Sequence, residues 1–419
     1  MKNLIKYFKN HEKAFLLLLV FLGIILRSIY TYYIYSSEGT SNWTDDWEYL
    51  SMGKQIAAGN WDPKENNAEY MVVAPSIPII VALFVLLFNN PIIPFFIYNI
   101  IITSLMIPVL YYLGKELFSK KVGWFLAIWG VFFVEAYKYS PHILKEPTLF
   151  FLVSLTLLFI IRSIKRKEQS VKNLIFAALS FTWLIHADER YFIYLPIFVL
   201  FFLLIQPFKL SAIIKNAFVW VVFVFLLMLP WGVRNYVVFD QFVILSPRTT
   251  SITSKIWGTN LAASASHFSD EGSKQMLIER RYDKAIQFGN QYGINPREYG
   301  KQEAIDRAFI NFWQPTYFNP TFIQYGYRPM KWSFRHNASS ILFYGIFIPF
   351  YIIGFFVLIK RRHYLALAVG TIPFIHSLLH AYMVWPLERY RSPITFIVVL
   401  IGIWAATEII NQIARRRTI

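Results

Sequence analysis

Two adjacent carboxylates, Asp45 and Asp46, follow the first long apolar run of the chain. They open the stretch DDWEYLSMGKQIA, in which Tyr49, Met52 and Ile56 recur at a helical spacing. A carboxylate beside a second acid can have its pKa raised into the range that suits a general base. The pair therefore indicates chemistry at a membrane surface, with Asp45 as the base and Asp46 beside it.

The position of Asp45 also has a purely structural explanation. Asp45 followed by Glu48 has the spacing of a capping box, in which an acid or hydroxyl residue satisfies the first backbone amides of a helix. On this interpretation Asp45 only caps the helix that begins at Asp46. The local sequence leaves base and cap both open.

Cationic side chains form the second group of candidates, because lysine and arginine bind phosphate and arginine matches its oxygens best. They lie at the predicted outer ends of apolar segments or in the loops between them, and each arginine could instead snorkel toward lipid headgroups. These candidates are Arg27, Lys145, Arg190, Arg234, Arg389 and Arg391.

The short stretch PHILKEP contributes His142 and Glu146. Glu146 is a candidate second acid, and the alternative is that it stabilises the first turn of a helix through the helix dipole. His142 is interpreted as an interfacial polar residue, with metal ligation as the alternative. No cofactor is indicated by these residues, and a divalent metal ion is left open.

The composition places these residues in a membrane protein. Of the 419 residues, 56% are apolar and 19% aromatic, and the mean hydropathy is +0.43, more apolar surface than a soluble protein of this length can bury. The net charge of +17 comes from short basic clusters between apolar runs, which argues for membrane orientation and against nucleic acid. The chain contains no cysteine, which excludes disulfides, thiolate metal sites and cysteine nucleophiles.

Ten apolar segments are long enough to be predicted as spans, which makes the chain an all-α, multi-pass membrane protein. The run 77–88 is too short and is assigned as a juxtamembrane helix, because every short basic loop then falls on the cytoplasmic side with both termini. The predicted spans are 14–35, 94–113, 122–138, 147–164, 173–187, 191–206, 216–236, 340–359, 364–384 and 393–410.

This topology divides the chain into three parts. Residues 1–236 form a catalytic transmembrane module with a first external loop at 36–93, residues 237–339 form a large external loop, and residues 340–419 form the last spans. The large loop contains a second surface helix near 302–313. Its apolar stripe predicts contact with the membrane.

The motifs resemble those of the C-type glycosyltransferases that use polyprenyl-phosphate sugars, with the lipid A aminoarabinose transferases and protein O-mannosyltransferases as the nearest group. DDWEY at 45–49 is similar to their D-E-x-x-Y, PWGVRN at 230–235 to their P-W-x-x-R-N, and RYRSP at 389–393 to their R-Y-R-x-P. Glu146 stands where the group has an acid opening the fourth helix. The stretch 73–76 reads VAPS where aminoarabinose transferases carry a Glu-Lys pair, which argues against lipid A aminoarabinose as the product.

The resemblance implies transfer of a sugar, with inversion, from a polyprenyl-phosphate donor to a lipid, glycan or protein acceptor. The reaction would take place on the outer face of the cell (inner) membrane. Asp45, Asp46 and Glu146 would be catalytic, and Tyr49 would join the cationic residues in binding the donor. Membrane lipids are the other expected partners, and nucleic acid is not one. A lipid or glycan transporter is the rival interpretation, and a non-catalytic scaffold of a glycan-assembly complex is a third.

The topology can be tested by labelling, because the chain has no cysteine of its own. Single cysteines at Ser41 and Ser119 should react with a membrane-impermeant maleimide from opposite sides, since one predicted span separates them. Reaction of both from the same side would restore a span at 77–88 and eliminate the ten-span topology.

Overall fold

The computed structural model describes residues 12–38, 44–60, 74–205, 210–239, 242, 244–245, 300–314, 338–382 and 388–416. Within these ranges the regular structure is helical, with no strand. The predicted all-α fold class is confirmed.

Fifteen α-helices are described in these ranges, together with three short 3-10 turns and one π-helical turn at Ile341–Gly345. They are α1 (Glu12–Glu38), α2 (Thr44–Ala57), α3 (Ser76–Phe88), α4 (Ile92–Leu117), α5 (Lys120–Val131), α6 (Val134–Tyr139), α7 (Glu146–Lys165), α8 (Ser170–Ala187), α9 (Tyr194–Ile205), α10 (Leu210–Phe239), α11 (Lys301–Trp313), α12 (Phe347–Lys360), α13 (Tyr364–Tyr382), α14 (Glu388–Arg391) and α15 (Thr395–Arg416).

Eight segments of the described chain are helical, long and apolar enough to cross a membrane, and they coincide with eight of the ten predicted spans. The other two predicted spans are shorter as helices. The segment 122–138 breaks between α5 and α6 because Phe133 adopts an extended conformation, and α9 has 12 residues, fewer than the ~20 that a straight span needs. The protein is a multi-pass membrane protein, and the count of ten spans stays a prediction.

Helix α3 has 13 residues, about 20 Å of helix, which is short of the ~30 Å apolar core of a bilayer. It packs closely on α2, because Gly53 faces Val81 and a Cβ at Gly53 would lie 2.4 Å from Val81 Cγ1. The short apolar helix predicted at 77–88 is therefore present, and it lies beside the helix that carries the acidic pair.

Small residues and hydroxyl groups also bring the spans together, as is usual between membrane helices. Gly114 of α4 packs against Gly123 of α5, where an added Cβ would lie 2.7 Å from the facing Cα. Thr156 of α7 donates a hydrogen bond to Ser180 of α8 at 3.0 Å. Helices α4 and α5, and likewise helices α7 and α8, are thus closely packed pairs.

The apolar face of helix α11 contacts a different neighbour from the one predicted. Its helical bounds agree with the prediction near 302–313, but its apolar face packs on protein, where Ala308 lies in one apolar cluster with Ala381 of α13. Its exposed face carries an ion pair between Arg307 and Glu303 at 2.9 Å. The stripe predicted to contact the membrane therefore contacts the helix bundle.

Candidate active site

The acidic pair lies in the first turn of α2. Asp46 is 7% exposed, and its Oδ2 is 3.5 Å from Nδ1 of His142. Tyr49, one turn further along α2, is buried. The side chain of Asp45 is outside the described part of the structure, so its predicted role as base stays a prediction.

Asn99 of α4 positions the loop that contains His142. Its side chain is buried, and Nδ2 donates to the backbone carbonyls of Ser140 at 3.2 Å and His142 at 2.7 Å. These bonds satisfy carbonyls of a buried loop, which would otherwise lose hydrogen bonds to water. They also fix the residues that enter α7, namely Lys145 and Glu146.

Asp188 ties this loop to the end of α8. The chain becomes extended at Asp188, and the side chain accepts hydrogen bonds from the backbone amide and Nε of Arg190, at 3.2 and 2.7 Å. Arg190 Nη2 bonds the other oxygen, and Lys145 Nζ lies 3.0 Å from it. One carboxylate therefore holds two cations that the sequence predicted as phosphate ligands.

The charge state of Asp188 follows from these contacts. The side chain is 3% exposed, and burial alone would raise the pKa of Asp188. The charges and hydrogen bonds of Arg190 and Lys145 hold that pKa well below its usual range. Asp188 is therefore an anion that neutralises part of a cationic site.

Arg190 also reaches the second half of the protein. Its Nη1 is 3.2 Å from Nε2 of His380 on α13, and its guanidinium lies 4.0 Å from the centre of the Tyr390 ring, a cation–π arrangement. His376, one turn earlier on α13, bonds the carbonyl of Tyr390 at 2.8 Å and the hydroxyl of Tyr194. These contacts join α9, α13 and α14 to the cluster.

Glu146 and Arg389 form the remaining ion pair. Glu146 opens α7 and is 1% exposed, and Nε of Arg389 lies 3.2 Å from its Oε1. Within the described residues neither oxygen of Glu146 accepts a hydrogen bond. The structure thus brings two predicted site residues together from positions far apart in the sequence. Hereafter, the charged cluster is the set Asp46, His142, Lys145, Glu146, Asp188, Arg190, His380 and Arg389.

Three predicted phosphate ligands make other contacts. Arg27 is fully buried and donates to Ser104 Oγ at 3.2 Å and to the carbonyl of Gly130 at 2.7 Å, which joins α1 to α4 and α5. Arg234 donates to Asn235 Oδ1 at 2.9 Å. Arg391 bonds the end of α11.

Sequence reasoning missed Asp188, His376 and His380 as site residues. Two histidines four residues apart lie on one face of a helix. This spacing was the feature of the sequence that could have identified His376 and His380 as site residues. Asp188 directly precedes Glu189 and Arg190 in a predicted outer loop, but only the fold shows which cation it meets.

A metal centre is not supported by the described side chains. Among the residues whose placement is described, no group of three His, Asp or Glu side chains could hold a metal ion. The divalent metal ion that the sequence left open stays a prediction.

Two solved structures of an archaeal protein have a similar arrangement of helices. The apo crystal structure of the Archaeoglobus fulgidus oligosaccharyltransferase superposes with a TM-score of 0.59 at 14% identity, covering 98% of this chain and 52% of that one. The oligosaccharyltransferase AglB of the same organism, in complex with an inhibitory peptide and a dolichol-phosphate, gives 0.59 at 15% identity with the same coverage. The fold is that of the C-type glycosyltransferases. The predicted resemblance is confirmed.

The central part of the chain also matches a known protein family. Residues 72–233 match a family described as dolichyl-phosphate-mannose-protein mannosyltransferase. This match includes the cluster residues from His142 to Arg190 and ends just before Arg234. No curated protein matches the sequence. The chain spans about half the length of the solved C-type structures described above.

The Asp188 ion pairs generate a prediction about stability. Asp188→Asn should lower the free energy of unfolding by about 3–5 kcal/mol, because it leaves two buried cations without their shared anion. Adding Lys145→Gln should recover part of the loss. The measurement is thermal unfolding in detergent, with Glu303→Gln in the exposed pair of α11 as the control, expected to change stability by less than about 1 kcal/mol.

The pH dependence of this effect has a defined sign. Because the folded-state pKa of Asp188 is depressed, its contribution is present above the unfolded pKa of about 3.9 and is lost as pH falls through the folded value. The difference in melting temperature between the parent and Asp188→Asn should therefore narrow at acid pH. An equal difference at pH 7 and pH 3 would show that Asp188 is not the anion described here.

Proposed function

We propose that this protein transfers a sugar, with inversion, from a polyprenyl-phosphate donor to an acceptor on the outer face of the membrane. The observation that carries the proposal is the charged cluster within a C-type fold. Acids from α2 and the start of α7 lie together with cations from three separate parts of the chain. Such a site suits a ligand that carries an anionic group and a sugar.

The proposed chemistry requires one base and one stabilised leaving group. The oxygen of the acceptor hydroxyl attacks C1 of the sugar while the bond from C1 to the phosphate oxygen breaks. The hydroxyl proton passes to the carboxylate of Asp45, and the electron pair of the broken bond leaves with the polyprenyl phosphate. Attack and departure on opposite faces of C1 give inversion without a covalent intermediate.

Asp45 is assigned as the base from its position at the start of α2. Its neighbour Asp46 lies at the buried edge of the cluster against His142. Since an additional nearby carboxylate raises the pKa of an acid, Asp46 would increase the proton affinity of Asp45. Tyr49 is buried one turn further along α2.

Arg389 is the cation that we assign to the leaving phosphate. Nε of Arg389 lies 3.2 Å from Oε1 of Glu146, which places the guanidinium at the start of α7. A guanidinium matches the geometry of phosphate oxygens. Lys145 and Arg190 are both held on Asp188, so they contribute positive potential to the site. Positive groups placed where charge develops lower the barrier in a water-poor site.

A site at the membrane boundary suits a donor whose sugar is linked to a lipid. A polyprenyl chain partitions into lipid, while phosphate and sugar remain at the polar boundary. The amphipathic helix α2, which carries the acidic pair, packs on the short helix α3 at Gly53, and both helices suit this boundary. We place the cluster on the outer face of the inner membrane and the termini in the cytoplasm, following the predicted charge distribution.

The substitution Asp45→Asn distinguishes the two possible roles of Asp45, catalytic base and helix cap. Asn caps a helix about as well as Asp, so a capping residue should tolerate the change. If Asp45 is the base, turnover should fall by roughly 10²–10⁴-fold with little change in melting temperature or donor affinity. The measurement is transfer from an undecaprenyl-phosphate sugar by purified protein.

Two variants control this comparison. Asp46→Asn should have a milder effect on turnover, because its assigned role is to tune its neighbour. Asp306→Asn removes a carboxylate charge from the exposed face of α11 and should leave turnover unchanged. Parental turnover in Asp45→Asn would leave Asp45 with only a structural role in the first turn of α2 and direct the search for a base to Asp46 or Glu146.

Arg389→Ala tests the leaving-group site. Donor binding should weaken by about 1.5–3 kcal/mol, the range for a hydrogen bond to a charged group. Arg389→Lys should restore part of it, because the charge is kept but the planar fork is lost. The control is Arg361→Ala, which removes an arginine from a half-exposed pair with Glu408. Equal donor affinities in all four proteins would rule out a phosphate contact by Arg389.

A further inference from the structure

The second arginine of α14, Arg391, contacts a different part of the protein from the first. Its Nη1 donates to the backbone carbonyls of Phe312 at 3.0 Å and Gln314 at 2.7 Å. Its Nη2 donates to Ser340 Oγ at 3.4 Å, and the guanidinium lies 4.0 Å from the centre of the Tyr344 ring. The side chain is 2% exposed. A ligand could reach it only if these contacts opened.

The carbonyls that Arg391 binds are at the C-terminal end of α11. The last four carbonyls of a helix have no partner within the helix and carry its partial negative charge. A buried guanidinium satisfies such groups and compensates this charge at once. Arg391 therefore acts as a C-terminal cap that is supplied by a distant part of the chain.

The capped end of α11 covers one side of the charged cluster. The ring of Phe312 lies 5.9 Å from the ring of His376 and 5.8 Å from that of His380, measured between centres. His380 is the residue that contacts Arg190. Trp313 packs 5.1 Å from Phe374, so the last two side chains of α11 are both seated on α13.

The rest of α11 is suited to docking and not to independent stability. Ala304 and Ala308 are fully buried on its inner face, which lets the helix approach the bundle closely. An isolated helix of 13 residues is marginal in water. Its position and much of its helicity therefore depend on contacts with the bundle, including the cap at its end.

We infer that Arg391 is a positioning residue that docks α11 over the charged cluster and does not bind the donor phosphate. Docking keeps water from the His380 and Arg190 side of the site, and electrostatic interactions strengthen when water is excluded. The docking role is independent of the reaction. Its consequence for turnover rests on the proposed function.

Hydrogen exchange of the purified full chain tests the docking role directly. Arg391→Ala should speed amide exchange in 301–313 by about tenfold or more, because undocking exposes the helix to local unfolding. Binding of undecaprenyl phosphate should stay within about twofold of the parent, and turnover should fall without a change in donor KM. Arg391→Lys should give an exchange rate between those of the parent and Arg391→Ala. Lysine keeps the charge, but its one nitrogen cannot bond the carbonyls and Ser340 together as Nη1 and Nη2 do.

The neighbouring arginine supplies the matched comparison. Arg389→Ala should show the opposite pattern, with weaker binding of undecaprenyl phosphate and unchanged exchange in 301–313. Arg307→Ala, on the exposed face of α11, should change neither quantity. Phe312→Ala removes the ring that covers the two histidines while leaving the cap, and it should also speed exchange in α11.

The outcomes separate the two proposals. Weaker binding of undecaprenyl phosphate by Arg391→Lys and Arg391→Ala, with exchange in 301–313 unchanged, would make Arg391 a phosphate ligand and overturn the inference. If the parent transfers no sugar but α11 responds to Arg391→Ala alone among the arginine-to-alanine variants, the docking role stands and the proposed function fails. Should Arg391→Ala not fold, Arg391→Lys and Phe312→Ala allow the same comparison.

Discussion

The shared contact of Lys145 and Arg190 with Asp188 is the interaction on which the arrangement of the site depends. Each of these charges is buried at the ends of membrane helices, where an unpaired charge is costly. Pairing all three through one carboxylate fixes the start of α7 relative to the end of α8. Arg190 extends the constraint to α13 through His380 and to α14 through the ring of Tyr390. The ion pair thus determines where Glu146 and Arg389 can meet.

The sequence predicted the helices well where apolar length alone decides. It missed the break at Phe133 because the run of apolar residues before it continues through Val134, although the charged residues Glu135 and Lys138 follow directly. It also placed the stripe of α11 on the membrane, because an apolar helical face looks the same whether lipid or protein covers it. Small residues such as Ala304 and Ala308 were the available sign of close helix packing.

The sequence predicted which residue types form the candidate site, but not which cation pairs with which carboxylate. The predictions named Lys145, Arg190 and Arg389 as phosphate ligands on equal terms, because the sequence gives charge and approximate depth. The structure separates them by their partners, two on Asp188 and one on Glu146. Asp188 gains its role from Arg190, two residues away, and from Lys145, which is distant in the sequence. No local pattern records that meeting.

The RYR motif of α14 shows why a count of buried arginines does not count ligand-binding groups. Residues two apart on a helix point about 200° away from each other, so Arg389 and Arg391 reach opposite neighbours. Arg389 meets a carboxylate at the start of α7, whereas Arg391 meets backbone carbonyls at the end of α11. A guanidinium can donate hydrogen bonds to backbone carbonyls as well as to phosphate oxygens. Two arginines within one turn of helix therefore have different roles. Arg391 caps a helix, and Arg389 is a candidate ligand of the leaving group. Only the acceptors around each guanidinium distinguish the two roles.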